Sequence, residues 1–150
     1  MVRHKNRYIL LEVKEIGRSD RSHLKLKEPS LYTAILKMVE KLHGDFGVAA
    51  IRAGFVAKYI NQHTRTGIIR CRRGPHKLIS SCIPFIKMVE DKIVSLNMLY
   101  VGATLRHCFG FLRNYQLKKF NEYCVSLNSE EEKAALREVM MSFEKLADRL

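Results

Sequence analysis

The sequence predicts an α+β fold, an antiparallel sheet in the order β-α-β-β-α-β with two additional C-terminal helices. Three observations carry this. Several short stretches alternate apolar and other residues with a period of two, as strands packed against a core do. Two stretches between them repeat their apolar residues at helical spacing. Beyond the last strand-like stretch, helical spacing persists to the end of the chain.

The elements follow in order. Residues 1–7, MVRHKNR, form a short basic arm. In Tyr8–Val13, Ile9, Leu11 and Val13 face one way, while Tyr8 and Leu10 make the other side partly apolar, which suits a central strand covered on both faces. Gly17–Lys27 is polar and charged and reads as a loop. Pro29 then opens a helix in which Leu31, Ile35, Met38, Val39 and Leu42 share a face, and His43-Gly44-Asp45 ends it with Gly44 as a left-handed cap. Phe46–Gly74 reads as a β-hairpin with a basic rim. Its first strand is Ala49–Tyr59, all of whose odd positions are apolar; Asn61–Thr66 is the turn; Gly67–Arg73 returns. After Gly74-Pro75, His76–Asp91 is a second amphipathic helix that Pro84 kinks or restarts. Ile93–Val101 is a further strand, and Leu105 to about Leu127 a long helix. Ser129 with Glu132 has the spacing of a capping box and opens the last helix. The first six elements make a ferredoxin-like unit. Residues 1–127 are expected to form one domain, with its open sheet face covered by at least one extra helix. Residues 128–150 form an amphipathic helix packed on that domain or on a partner.

The charge is uneven. The net charge is +12, yet residues 128–150 hold four Lys/Arg against six Asp/Glu, leaving 23 against 9 in residues 1–127. A basic body points to a polyanion partner. No apolar run reaches the roughly 18 residues that span a bilayer, and no terminal Lys-rich amphipathic helix offers itself to a membrane surface. The N-terminus lacks the small-residue cleavage site of a signal peptide. Cys71, Cys82, Cys108 and Cys124 are scattered and stand at apolar positions, as buried free thiols of a reducing compartment do, and no Cys/His clustering points to a metal.

Arg65, Arg70, Arg72 and Arg73 sit on or beside one strand, where a rigid support aims cations at a phosphate backbone. The third strand carries no aromatic residue and the first only Tyr8, so bases have nothing to stack on. No nucleophile elbow, phosphate loop or HExxH motif is present. His63 lacks a partner carboxylate in the sequence, and Glu90-Asp91 reads as a solvated helix end. Thr104 reads as the N-cap of the long helix, whose free N–H groups together with Arg106 could hold a phosphate. Arg113, Lys118 and Lys119 read as that helix's wet side. The stripe Leu136, Val139, Met140 and Phe143 is a candidate partner-binding surface.

The runs HGDFGVAAIRAGFVAKYIN, TGIIRCRRG and VGATLRHC, with the opening Met1-Val2-Arg3, resemble the "processing of precursors five" protein subunits of eukaryotic and archaeal ribonuclease P and RNase MRP. The resemblance spans roughly residues 1–125 and departs in the last helix. It implies a ferredoxin-like fold and a nuclear and nucleolar protein that is not an enzyme alone. The protein instead assists an RNA whose own active site, using Mg²⁺, removes the 5′ leader of precursor tRNA and, in RNase MRP, cuts an rRNA precursor. It also implies no cofactor bound by the protein and a TIM-barrel-type protein partner. The RNA contacts it implies fall on Arg3, Lys5, Arg7, Arg65, Arg70, Arg72, Arg73 and Arg106. The rival reading is a non-catalytic adaptor that bridges other protein subunits with little RNA contact. A free-standing nuclease is disfavoured by the lack of a carboxylate or histidine cluster in the sequence.

Overall fold

The computed structural model describes residues 5–17 and 24–147, and side chains as far as residue 145. Strands β1 (Asn6–Glu15), β2 (Val56–Asn61), β3 (Thr66–Arg72), β4 (Met88–Val89) and β5 (Lys92–Gly102) form one sheet in the order β2-β3-β1-β5-β4, with every pairing antiparallel. Helix α1 (Glu28–Arg52) and the short α2 (His76–Cys82) belong to the β-α-β-β-α-β unit. Helices α3 (Leu105–Cys124), α4 (Glu130–Met140) and α5 (Glu144–Ala147) follow it. This is the ferredoxin-like arrangement with its C-terminal helices. Among the described residues no helix is long and apolar enough to cross a membrane.

The alternation along β1 builds two cores. Ile9, Leu11 and Val13 meet Leu31, Ile35, Val39 and Ile79 of α1 and α2 on one face. Leu10, with Ile68 of β3, meets Cys108 and Leu112 of α3 on the other. Each large aliphatic side chain so buried contributes about 1.5–3 kcal/mol. The expected open face is thus covered by α3, and β1 is a central strand closed on both sides. Leu24 and Leu26, in the segment read as loop, have no regular structure but enter the first core.

Three element boundaries differ from expectation. The strand placed at Ala49–Tyr59 starts only at Val56, because α1 continues to Arg52. Gly44 interrupts it at φ 65°, ψ −162°, a conformation that glycine alone adopts readily, so the helix is redirected rather than ended. Ala49 and Ala50 suit a helix better than a strand, and Gly47 and Ile51 share the buried side of Val39. The helix read at His76–Asp91 stops at Cys82. Pro84 lies in a 3-10 turn, Ile83–Phe85, beyond which the chain is extended. The last helix is broken between Met140 and Glu144, and Ser129 sits at its N-cap without a side-chain capping bond, so the capping box is not formed.

Gly102, where β5 feeds α3, is required for close approach. A Cβ there would lie 2.9 Å from Cys108 Sγ and 2.9 Å from Tyr100 Cε1. Cys108 is fully buried and cannot retreat. Gly102→Ala is therefore expected to cost about 1–3 kcal/mol by overpacking, read as a lower midpoint in urea unfolding.

Candidate nucleic-acid interface

The strand register decides where the cations gather. On the α3 side of the sheet Arg70 of β3 stands opposite Tyr8 of β1, Arg72 opposite Asn6, and Tyr8 in turn opposite Gly102 of β5. One rung further on, the Arg73 N–H donates to the Lys5 carbonyl at 2.8 Å. Lys5, Arg70, Arg72 and Arg73 therefore meet at one end of the sheet, and Gly102 delivers the first turn of α3, with exposed Arg106, to the same end. The stem of Arg72 runs over Gly54, so closely that a Cβ at Gly54 would lie 3.1 Å from Arg72 Cγ. Arg70 is half-buried, and its Nε has no hydrogen-bond partner among the described residues.

Arg7 and Cys71 are paired on the opposite side of the sheet, towards α2. There burial pushes the Cys71 thiol up to about 12, and the Arg7 charge offsets only part of that. His76, at the start of α2, accepts a hydrogen bond at Nδ1 from the Gly74 N–H at 3.0 Å, which leaves the ring proton on Nε2. Burial lowers its pKa, and the charges of Arg7, Lys77 and Arg73 lower it further. Burial first, and then the neighbouring positive charges, disfavour the charged ring, in keeping with Arg7, Lys77 and Arg73 lying around it. Lys77 was not singled out in the sequence; its position just after the Gly74-Pro75 break, one turn past β3, was the available signal.

Other predicted residues lie elsewhere. Arg3 falls outside the described residues. Arg65 is at the far end of β3, in the β2–β3 turn, with φ 55° and only 5% exposure. Seven residue-to-residue steps along the chain separate it from Arg72 at the end of β3, roughly 23 Å at the usual rise. It lies away from Arg70, Arg72 and Arg73, because its place in the turn is set by the Asx turn of Asn61, whose Oδ1 accepts from the His63 and Thr64 N–H groups. Thr104 caps α3, accepting from the His107 N–H at 3.3 Å, as its sequence position predicts.

The C-terminal stripe divides. Met140 and Phe143 are buried within the chain itself, Phe143 at 2% exposure and stacked 6.1 Å from Phe109 of α3. Leu136 stays half-buried and Val139 exposed. Lys119, read as a wet-side residue, instead ion-pairs with buried Glu12 of β1, which also accepts a 2.6 Å hydrogen bond from Tyr115 Oη. Lys118 and Arg113 are exposed as expected. Among the described residues no three His, Cys, Asp or Glu side chains are placed to hold a metal ion.

The sequence profile of the Rpp14/Pop5 family matches residues 7–113, which include β1, β3 and the start of α3. The chain is 35% identical over 141 residues to the ribonuclease P/MRP protein subunit POP5 of Bos taurus, covering 91% of this chain and 82% of that protein. It is 33% identical to the human protein of that name, covering 91% and 85%. The fold is similar, at a TM-score of 0.52 and 13% identity, to a chain in a cryo-EM structure of yeast ribonuclease MRP, with 100% of this chain and 99% of that chain covered. With the profile match extending over most of its length, the chain belongs to the Rpp14/Pop5 family.

Proposed function

We infer that this chain is a protein subunit of the ribonuclease P and RNase MRP ribonucleoproteins, in which it supports the RNA that cuts precursor tRNA and precursor rRNA. The observation that carries the reading is the coincidence of the family match with the cationic end of the sheet, formed by Lys5, Arg7, Arg70, Arg72, Arg73, Lys77 and Arg106. These groups neutralise phosphates that would otherwise repel one another, so the RNA packs, and holds its substrate, at lower Mg²⁺. The RNA supplies the active site and binds the Mg²⁺. The protein's part is electrostatic and architectural. Other protein subunits, among them one of TIM-barrel type, complete a particle of the nucleus and nucleolus.

Depletion of the chain in cells is expected to raise the ratio of 5′-extended to mature tRNA several-fold on northern blots. Immunoprecipitation of the tagged chain is expected to recover the particle's RNA. Unchanged precursor levels together with no recovered RNA overturn the reading. The adaptor reading is favoured by the exposed Val139 beside half-buried Leu136. It is distinguished by RNA recovery that survives loss of the sheet-end arginines but not loss of the other protein subunits.

A further inference from the structure

One edge of the sheet is closed by β4, but only in part. β4 pairs with β5 at Lys92 and Ile93, and the Val94 N–H then donates to the Lys87 carbonyl at 2.9 Å. Beyond that bond β5 runs on to Gly102 with β1 on its inner side and no described strand on its outer side. An antiparallel ladder repeats every two residues, so the N–H groups of Leu96 and Met98 point outward as that of Val94 does. Among the described residues no further backbone hydrogen bond reaches Leu96–Val101 from that side. The open stretch is about 20 Å long. Met98 and Val101, opposite Leu11 and Ile9 of β1, share the α1–α2 side of the sheet and are 44% and 37% exposed. From Ile93 to Leu105 the sequence holds no charged residue and no proline. Native sheets guard an open edge with charge, proline, a bulge or a covering element. The opposite edge does so, because β2 presents exposed Lys58 in mid-strand. β5 has a bulge at Leu99, which lacks a partner in β1, but no charge.

We propose that Leu96–Val101 takes an extended segment of another protein subunit as a sixth strand, with apolar side chains beside Met98 and Val101 and a carboxylate at the end that passes Lys87. The proposal rests on the reading that the chain works within a multi-subunit particle, and it assigns one contact of that particle. A row of outward N–H and C=O groups selects a polypeptide backbone, which repeats the same donors and acceptors at the same spacing. A sugar–phosphate chain offers charged acceptors, to which an uncharged edge gives no counter-charge. Net charge selects against a second copy, because two chains of +12 repel each other. Lys87 is exposed and makes no ion pair among the described residues. The carboxylates nearest to it along the chain, Glu90 and Asp91, stand in the β4–β5 turn, where Glu90 accepts from Ser30 Oγ.

Amide hydrogen exchange of the free chain and of the purified particle, read by mass spectrometry over Ser95–Val101, tests the edge directly. The outward amides of Leu96 and Met98 are expected to exchange fast in the free chain and roughly tenfold or more slowly in the particle. The photocrosslinking residue p-benzoylphenylalanine at exposed Asn97, in the full chain within the particle, is expected to mark one segment of another protein subunit. Met98→Lys with Val101→Lys sets two like charges on the edge at positions that are already exposed. The thermal midpoint of the free chain should then stay within a few degrees of the parent, while pairing with the marked subunit weakens roughly tenfold or more. Lys87→Glu should weaken that pairing several-fold. Exchange over Ser95–Val101 that is the same in both states, crosslinks confined to RNA or to copies of this chain, or pairing unaffected by the double variant overturns the proposal. If the tagged chain still recovers the particle's RNA in that case, the proposal alone fails. If it recovers neither RNA nor other subunits, the particle reading fails with it.

Discussion

Arg70→Gln combined with Arg72→Gln is expected to lower affinity for the particle's RNA roughly 25- to 60-fold near 0.1 M salt. Each phosphate contact contributes a slope of roughly −0.7 to −0.9 in log affinity against log salt, so each lost contact weakens binding roughly five- to eightfold at that ionic strength. The two together should flatten the slope by roughly 1.4 to 1.8. Both side chains stand on β3 at rungs opposite Tyr8 and Asn6, anchored by the ladder to β1, so their loss removes fixed charge and not a mobile tail. Lys118→Gln, on the exposed side of α3, should leave affinity and slope nearly unaltered. Filter binding across a salt series reads both quantities. A double variant that binds as the parent does, with the same slope, would remove this end of the sheet from RNA recognition.

Lys119→Met is expected to cost about 3 kcal/mol of folding stability at pH 7, because it takes the closer cation from a buried carboxylate and leaves it the half-exposed Lys14 at 3.5 Å and the Tyr115 hydroxyl. For a chain of this length that is roughly a 6–12 °C fall in midpoint. The Glu12 side chain is 6% exposed and that of Lys119 28%. Burial pushes the Glu12 pKa up, but hydrogen bonds from Lys119 and Tyr115 and the charges of Lys119 and Lys14 outweigh it and hold the carboxyl below its ordinary 4.5. A carboxyl depressed in the folded state lends stability above its unfolded pKa and withdraws it as pH falls through the folded value. The parent should therefore lose this contribution below about pH 4.5, and the gap between parent and Lys119→Met should narrow there. Glu12→Gln with Lys119→Met should regain most of the loss. Urea unfolding at pH 7 and pH 4 measures all of this. A pH-independent gap, or a double variant as unstable as the single, would show that the pair does not act as described.

What sequence reading could reach was the pattern that local periodicity writes. β1, β5 and α3 announce themselves because one face of each is apolar at the right spacing. β3 brings Arg70 and Arg72 with it through simple alternation. What it could not reach depended on distant partners or on residues that suit two structures. The alanine-rich run from Ala49 to Ala53 satisfies a period of two only because alanine offends neither geometry, and helix propensity decides it. Pro84 was visible, but not that it would replace the last turns of a helix with extended chain. Glu12 sits inside an apolar strand, and its partner Lys119 lies 107 positions away in sequence. Arg65 shared a strand-side label with the other arginines, yet the Asx turn at Asn61 put it at the opposite end of the sheet.

With helices packed on both broad surfaces of the sheet, the proposed contact with a nucleic acid falls at the end where Lys5, Arg70, Arg72 and Arg73 meet. If RNA docks there as proposed, guanidinium and ammonium groups would sense where the sugar–phosphate chain runs and stay blind to the letters it carries. Two RNAs with unrelated nucleotide order could then recruit the same polypeptide, provided each folds so as to present its backbone along a matching curve.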